Sequence, residues 1–315
     1  MTLAGRLLGV SLAIGGIAAA TASYRRKLAG AAVMWAPSRA SVVSTSSLTA
    51  RVLGESGPPV VLLHGLVASG VYWGATYDRL ADGHRLVVPD LLGFGGSPRP
   101  ACGYGPDDHV EAVRSCLDDL GITEPAVIGA HSLGALIALR LAASHPDRVA
   151  AIVAFGPPLY PDAPAARAHI ASTGPMGRLF ILPGPVAERA CQWMCNHRAT
   201  ATELARLLHP SLPHPIAADA MQHTWMSYSQ TLQRVILSAD ARNWLDDVRC
   251  PVQLIAGDED PVVDNSFLRR LGADHANFDV AVWPGHHDLP LAAAATCADV
   301  IAAAAAAAAV RTPAL

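Results

Sequence analysis

The sequence has few aromatic and few charged residues, and it has no strong excess of charge of either sign. Aromatic residues make up 5% and charged residues 16% of the 315 residues, and the formal net charge is −3 at pH 7. Because no basic patch accompanies this near-neutral balance, the sequence gives no support for nucleic-acid binding. It also contains no Gly-x-Gly-x-x-Gly pattern after a strand and no P-loop, so we expect no nucleotide and no other cofactor.

The six cysteines lack the spacing of a disulfide framework. Free, mostly buried thiols in a reducing compartment are the simpler interpretation. Cys191 and Cys195 stand four residues apart, with His197 close behind, and we interpret the two thiols as part of one face of an amphipathic helix. Because no second ligand cluster with zinc-like spacing follows, the sequence predicts no metal site.

An uncharged apolar run occupies residues 7–23, with Arg6 before it and the cluster Arg25-Arg26-Lys27 after it. A membrane span needs ~20 apolar residues, so this run is slightly short. The positive cluster behind it would hold the following domain on the cytoplasmic side. We therefore expect an apolar N-terminal helix associated with a membrane and a cytoplasmic location for the rest. Export, with a signal peptide cleaved near Ala22, is the alternative.

Beyond this segment, apolar runs bounded by turn residues alternate with helical patterns. This βαβ alternation predicts an α/β fold with a mostly parallel, doubly wound sheet. The alternation stops at Gly156 and resumes at Pro251. The stretch between them is rich in proline and has helical segments without strand alternation, so it predicts a helical cap inserted into the sheet.

The predicted organisation therefore has five parts. They are an apolar N-terminal segment (residues 1–27), a Ser-rich linker (28–47), the first part of the core (48–156), the helical cap (157–247) and the second part of the core (248–315). The alanine run at 302–309 is predicted to end the C-terminal helix, because alanine has the highest helix propensity.

The five residues Ala130-His131-Ser132-Leu133-Gly134 carry the most chemical information. They lie between an apolar strand pattern and an Ala/Leu-rich helical stretch. This is the variant of Gly-x-Ser-x-Gly with alanine first, and it predicts a sharp strand-to-helix turn that lifts the Ser132 hydroxyl clear of the sheet. A serine that merely caps the helix is the alternative interpretation of the pentapeptide alone.

The rest of the chain supplies partners for a serine nucleophile in a meaningful order. Asp258-Glu259-Asp260 follows the apolar run at 251–257, and His286-His287 follows the strand pattern at 278–283. Acid and base thus both come directly after strands, where open α/β sheets place their chemistry. The order serine, acid, histidine is the order of a strand–turn–helix nucleophile and its triad partners.

With these motifs, the chain resembles serine hydrolases of the α/β-hydrolase-fold superfamily that carry a cap domain, which are esterase-like. The resemblance covers roughly residues 48–301 and is specific as an ordered set. Its four motifs are His64-Gly65-Leu66, the loop Pro89-Asp90-Leu91-Leu92-Gly93-Phe94-Gly95-Gly96-Ser97, the turn around Ser132, and Gly257-Asp258-Glu259-Asp260 with the histidine pair.

The resemblance implies a catalytic triad of Ser132, Asp260 and His287, with His286 as the second choice for the base. It also implies that the backbone N–H groups of Leu66 and Leu133 form the oxyanion hole. In this interpretation His64, Asp90 and Asp258 have structural roles. Trp193, Trp225 and Met226 are candidates for lining a substrate pocket under the cap, although simple packing of the cap is the alternative. The cap histidines His209, His214 and His223 are predicted to be surface or loop residues.

A serine at the apex of the turn disfavours epoxide hydrolase and haloalkane dehalogenase activity, because those relatives use an aspartate there. The expected function is that of a carboxylesterase-like serine hydrolase, which cleaves an ester or related acyl bond of a hydrophobic small molecule through an acyl-enzyme. A C–C bond hydrolase or an acyltransferase with the same triad remains open. A ligand-binding relative without catalytic activity is the alternative from another class.

Overall fold

The computed structural model describes residues 34–173, 178, 181, 184–209, 212–238 and 241–311. The apolar run predicted to form an N-terminal helix lies outside these ranges, so its membrane association stays a prediction. Within the described ranges, no helix has the length and apolar character that a membrane crossing requires.

Within the described ranges, eight strands form one mixed, mostly parallel sheet, as the sequence predicts. The sheet order is β1-β2-β4-β3-β5-β6-β7-β8; β2 pairs antiparallel with β1 and β4, and the remaining pairs are parallel. The strands are β1 (Ser41–Ser44), β2 (Thr49–Leu53), β3 (Pro59–Leu63), β4 (Arg85–Pro89), β5 (Ala126–His131), β6 (Val149–Phe155), β7 (Val252–Gly257) and β8 (Phe278–Trp283).

The helices fall into those that cover the sheet and those of the insertion between β6 and β7. The first group comprises α1 (Pro106–Asp119), α2 (Leu133–Ser144), α9 (Asn265–Asp274), α10 (Leu289–Ala292) and α11 (Ala294–Arg311), with 3₁₀ helices at Gly70–Trp73, Ala75–Ala81 and Pro146–Arg148. The insertion contains α3 (Ala163–Ser172), α4 (Pro185–Asn196), α5 (Arg198–Leu208), α6 (His214–Ala220), α7 (Trp225–Thr231) followed by a π-helical turn at Leu232–Ile236, and α8 (Ala241–Leu245).

The central strands are largely apolar because both faces of the sheet are covered. In β3, Val61 and Leu63 pack into the cluster formed with α1 and α2. Val60 and Leu62 of the same strand pack on the other face, against α11 and the 3₁₀ helices. Side chains alternate between the faces of a strand, so a strand buried on both sides needs a continuous apolar run.

The strand β1 lies inside the segment that the sequence predicts to be a linker. Its residues Ser41–Ser44 pair antiparallel with β2 and extend the edge of the sheet. Three of its four residues are exposed and none is buried. A strand of this kind has no hydrophobic signature of its own, because its backbone pairing with a neighbour defines it.

Candidate active site

Ser132 sits at a strained turn between β5 and α2. Its backbone has φ 52° and ψ −116°, a conformation that a residue with a side chain rarely adopts. The turn is held because the Ser132 N–H donates to the carbonyl of Phe155 at the end of β6, at 2.9 Å. A Cβ on Gly134 would lie 2.5 Å from the carbonyl oxygen of Leu63, so only glycine lets the helix start this close to β3.

The structure brings Ser132, His287 and Asp260 into one chain of hydrogen bonds. The Nε2 atom of His287 lies 3.0 Å from Ser132 Oγ, and its Nδ1 atom lies 2.8 Å from Asp260 Oδ2. The second carboxylate oxygen of Asp260 accepts from the backbone N–H groups of Val262 and Val263 at 2.8 and 3.3 Å. The acid is therefore fixed by the loop after β7, and the histidine is oriented by the acid.

The charges of the acid and the base stabilise one another. Burial alone would lower the pKa of His287, but the hydrogen bond and negative charge of Asp260, together with the charge of Asp288, raise it above its usual value. Burial opposes the charged form of Asp260 as well. The hydrogen bond from His287, its charge and the two backbone donors outweigh that effect and hold the pKa of Asp260 below its usual value.

Gly156, the first residue after β6, makes room for this pair. It has φ 58°, and a Cβ at this position would lie 3.0 Å from His287 Nδ1 and 3.3 Å from Asp260 Oδ2. A side chain would thus press on both partners of the acid–base hydrogen bond. Gly156 directly follows Phe155, whose carbonyl holds Ser132, and it leaves space for Asp260 and His287.

His286 faces away from Ser132. Its side chain is 75% exposed, against 21% for His287, and its Nδ1 atom lies 3.2 Å from the carbonyl oxygen of Glu259. Asp258 joins the same two loops, because its Oδ1 atom accepts from the Gly285 N–H at 2.9 Å. Of the two histidines that the sequence left open, His287 is the one within hydrogen-bond distance of Ser132.

The loop with Leu66 lies directly beside the nucleophile. A Cβ on Gly65 would lie 3.3 Å from Ser132 Cβ, so the loop backbone passes close to the serine. The N–H of Leu133 is the first of helix α2 and has no intrahelical acceptor. Among the described residues, Val67 and Ser132 are the non-glycine residues with positive φ. Backbone strain thus concentrates on the two segments that carry the predicted oxyanion donors.

His64 and Asp90 organise the loops behind this site. His64 is fully buried; its Nε2 atom accepts from the Leu91 N–H at 2.8 Å, so Nδ1 donates to the Gly65 carbonyl, also at 2.8 Å. Asp90 accepts from the backbone N–H groups of Gly70 and Gly96 and from Arg51, each at 2.7 Å. Neither side chain has a free group directed at Ser132.

His131 is a residue of the site that the sequence analysis did not single out. Its ring stacks on Tyr72 with centroids 4.8 Å apart, and its Nε2 atom donates to the His287 carbonyl at 3.1 Å. Burial and the neighbouring His287 lower the pKa of His131 to about 4, so its ring is neutral at physiological pH. It therefore braces the loop of the base. The pentapeptide could not reveal this, because its second position accepts any residue.

The three candidate pocket residues have separate surroundings. Trp193 is 44% exposed and stacks on His197. Trp225 and Met226 line a cavity of about 420 Å³ together with residues of α4 and the turn before α7. Neither Ser132 nor His287 lines this cavity, so it is distinct from the space above the nucleophile.

The structure places His223 on a loop, in line with the prediction of a surface or loop residue, and brings it next to the two cap cysteines. It is buried there, and its Nε2 atom lies 3.5 Å from Cys191 Sγ. His197, which follows the cysteines in sequence, points its Nδ1 atom at the Trp193 carbonyl instead. The sequence predicts no metal site because no second ligand cluster follows the two cysteines at zinc-like spacing. The additional signal is a histidine elsewhere in the same insertion, at no regular spacing from the cysteines.

The family model of the alpha/beta hydrolase fold matches residues 58–292, which is more than half of the chain. The chain belongs to the α/β-hydrolase fold family. The match begins just before β3 and ends at α10, so it includes the nucleophile turn, the loop of Asp260 and the loop of His287.

Relatives within this family differ in the activities that their names state. The chain is 36% identical over 124 residues to a probable lysophospholipase, BODYGUARD 4 of Arabidopsis thaliana, over 38% of this chain and 30% of that protein. It is 36% identical over 137 residues to a haloalkane dehalogenase of Mycobacterium marinum, over 41% of this chain and 43% of that enzyme. A thermophilic esterase from Thermogutta terrifontis shares the fold, with a TM-score of 0.61 at 18% identity over 86% of this chain and 99% of that one. Each of the two sequence matches spans less than half of the relative's length.

Proposed function

We propose that this α/β hydrolase is a carboxylesterase-like serine hydrolase. Its substrate would be an ester, or a related acyl compound, of a hydrophobic small molecule. The observation that carries the proposal is the continuous hydrogen-bond chain from Ser132 Oγ through His287 to Asp260, with contacts of 3.0 and 2.8 Å. An aspartate nucleophile, as haloalkane dehalogenases use, is not available at this turn because the apex residue is a serine.

In the proposed reaction, His287 Nε2 accepts the hydroxyl proton while Ser132 Oγ attacks the acyl carbon. The negatively charged Asp260 stabilises the imidazolium that forms. The oxygen of the tetrahedral intermediate accepts hydrogen bonds from the N–H groups of Leu66 and Leu133. His287 then gives its proton to the leaving alcohol, and a water molecule activated by the same histidine releases the acid and restores Ser132.

The surroundings of the nucleophile support an apolar substrate. Leu66, Val67 and Leu92 are half-buried apolar side chains that pack on the core. Both oxyanion donors are backbone groups; the side chain of Leu133 is buried, whereas that of Leu66 is partly exposed and can contact the substrate. Burial of apolar substrate surface contributes roughly 25 cal/mol per Å².

The test is hydrolysis of p-nitrophenyl esters of increasing acyl length by the purified full chain. Ser132→Ala and His287→Gln should abolish turnover, and Asp260→Asn should lower kcat by ~10⁴ because it favours the wrong imidazole tautomer. His286→Gln is the matched control and should retain activity. A fluorophosphonate probe should label the unsubstituted protein and the His286→Gln variant, but not Ser132→Ala.

Two results would reject this assignment. Turnover that persists in Ser132→Ala would show that another nucleophile acts, and failure of the probe to label the folded protein would favour a ligand-binding role. Product analysis with a competing alcohol acceptor completes the test. Formation of a new ester in place of the free acid would identify an acyltransferase instead of a hydrolase.

A further inference from the structure

Two cysteine sulfur atoms and one histidine nitrogen atom, all of types that bind transition metals, lie close together inside the cap and away from the triad. Cys191 and Cys195 lie one turn apart on the same face of α4, with their Sγ atoms 4.0 Å apart. His223, on the connection between α6 and α7, places its Nε2 atom 3.5 Å from Cys191 Sγ. The three ligand atoms all lie within 4.8 Å of one another.

We propose that Cys191, Cys195 and His223 form a zinc-binding site that joins α4 to the segment before α7. Tetrahedral zinc has Zn–S bonds of ~2.3 Å and Zn–N bonds of ~2.0 Å, which place two sulfurs ~3.8 Å apart and a sulfur ~3.5 Å from a nitrogen. The S···S distance of 4.0 Å and the Cys191–His223 distance of 3.5 Å match these values closely. Only Cys195 and His223 need to draw together.

The orientation of His223 fits a metal ligand. Its Nδ1 atom lies 2.7 Å from the carbonyl oxygen of Ala220, so Nδ1 carries the hydrogen and the Nε2 lone pair faces the thiols. Metal-binding histidines commonly donate their second ring N–H to a carbonyl or carboxylate, which fixes the tautomer and the ring. In this tautomer the ring is neutral, as a ligand must be.

The charge of a bound ion would be balanced within the site. Binding of Zn²⁺ releases one proton from each thiol, so two thiolates and a neutral imidazole give a complex with no net charge. A coordinated divalent ion deprotonates a thiol ligand directly.

The neighbouring cavity gives access to a fourth coordination position. Cys195 and His223 both line the cavity of about 420 Å³, and so does the carboxylate residue Glu188. Glu188 precedes Cys191 by three residues and Cys195 by seven, which puts it on the same face of α4. A water molecule or this carboxylate could therefore complete a tetrahedron. The site would clamp two parts of the cap that no backbone pairing connects.

The rival interpretation is a cluster of thiol hydrogen bonds. In that case Cys191 donates to His223 Nε2, and Cys195 donates to the His223 carbonyl at 3.2 Å. This arrangement needs no ion and leaves the two sulfurs independent of one another. Metal binding that requires both cysteines at once distinguishes the two interpretations.

The experiment is a titration of the full, chelator-treated and reduced protein with Co²⁺, followed by displacement with Zn²⁺. We expect one Co²⁺ per chain, a thiolate-to-cobalt charge-transfer band, the intense visible bands of a tetrahedral site, and loss of these bands as Zn²⁺ replaces cobalt. Cys191→Ser, Cys195→Ser and His223→Gln should each weaken binding by more than the ~10–100-fold that loss of an outer hydrogen-bond partner costs.

Matched controls exist in the same chain. Cys102→Ser removes an exposed free thiol, and His197→Gln removes an exposed histidine of the cap; both variants should bind cobalt like the unsubstituted protein. Circular dichroism and probe labelling of Ser132 report whether each variant is folded. Absence of the charge-transfer band, or an unchanged band in folded Cys195→Ser, would overturn the proposal. Either result would leave the assignment of the triad unaffected.

Discussion

Two carboxylates and one neutral imidazole surround His287. Asp260 contacts its Nδ1 atom, Asp288 is its neighbour in the chain, and the His131 ring lies 4.9 Å away from the centre of its ring. The pKa of His131 is about 4, so His131 adds no positive charge in the range where His287 titrates. The protonation of the base therefore depends on two negative charges, of which only Asp260 makes a hydrogen bond with it.

We predict that Asp288→Asn moves the acid limb of the activity profile to lower pH. Activity needs neutral His287, so kcat/KM falls as the pH drops below its raised pKa. Loss of the Asp288 charge lowers that pKa, while the amide oxygen of the substituted side chain can still accept the hydrogen bond that Tyr72 donates to Asp288 at 3.3 Å. The measurement is kcat/KM for a p-nitrophenyl ester across mildly acidic and neutral pH.

The control for this shift is Asp279→Asn, which removes the same charge from an exposed position on β8. Its profile should coincide with that of the unsubstituted protein. An acid limb that stays in place in Asp288→Asn, or moves to higher pH, would contradict the electrostatic argument.

The sequence predicted the residues that meet at the site and several that brace their loops, but it did not predict the role of His131. Ser132, Asp260 and His287 each follow a strand within a recognisable motif, and parallel strands end at one edge of a sheet. The chain order therefore predicts that a serine, an acid and a histidine meet, and the resemblance to the family motifs selects Asp260 and His287 among the candidates. The stacking of His131 on Tyr72 depends on how the 3₁₀ helix packs against β5, and no local pattern encodes that contact.

The cap is attached to the core by a few polar contacts between particular elements. Ser69, which precedes the first 3₁₀ helix, donates to Asp219 of α6 at 2.6 Å. Arg99, in the loop after β4, donates to the carbonyl of Gln222 at 2.8 Å. The first contact holds the end of α6, and the second holds the segment between α6 and α7 that also carries His223.

We predict that Asp219→Ala loosens this end of the cap without unfolding the core. A hydrogen bond to a charged group stabilises by ~1.5–3 kcal/mol, so its loss should raise the open population by at least about tenfold. The measurement is the rate of tryptic cleavage within residues 185–238 of the folded protein. Asp274→Asn, an exposed change at the end of α9 in the core, is the control and should leave the rate unchanged. Equal rates in the two variants would mean that this contact does not hold the cap closed.

The elements themselves were predictable where burial dictates the sequence. β5, β6 and β7 are apolar runs because both of their faces are covered, and the proline-rich stretch without strand alternation matches the helical insertion. β1 falls in the stretch predicted to be a linker because residues 28–47 are polar and Ser-rich, and Ser41–Ser44 is indeed largely exposed. The strand is defined by its backbone pairing with β2, because none of its own side chains is buried.

At the scale of the whole molecule, four buried histidines among the described residues are neutral in the folded state. Burial lowers the pKa of His64 and of His223, that of His109 to about 3 and that of His131 to about 4. His109 lies on α1 and contacts Thr231 of α7 at 3.1 Å, so it joins the core to the cap. Unfolding would expose these rings to water, where the pKa of histidine is about 6.5.

These rings should make the protein lose stability in acid. Below pH ~6.5 the unfolded chain binds protons at these positions and the folded chain does not, so the free energy of unfolding falls as the pH falls. The loss approaches about 1.4 kcal/mol per pH unit for each histidine, until the folded pKa is reached. His287 does not offset this loss of stability. Because its pKa is raised in the folded protein, His287 is protonated in both the folded and the unfolded chain in this pH range. The stability that His287 contributes disappears only at higher pH.

We predict that His109→Gln makes stability less sensitive to acid. Glutamine can still hydrogen-bond to Thr231 but takes up no proton on unfolding, so the slope of unfolding free energy against pH should fall by about 1.4 kcal/mol per pH unit in the mildly acidic range. Urea unfolding at a series of pH values measures this slope. His197→Gln, which removes an exposed ring, should keep the slope of the unsubstituted protein. If the two variants show the same slope, His109 is not a source of acid sensitivity. The contact between His109 of the core and Thr231 of the cap would then be independent of pH.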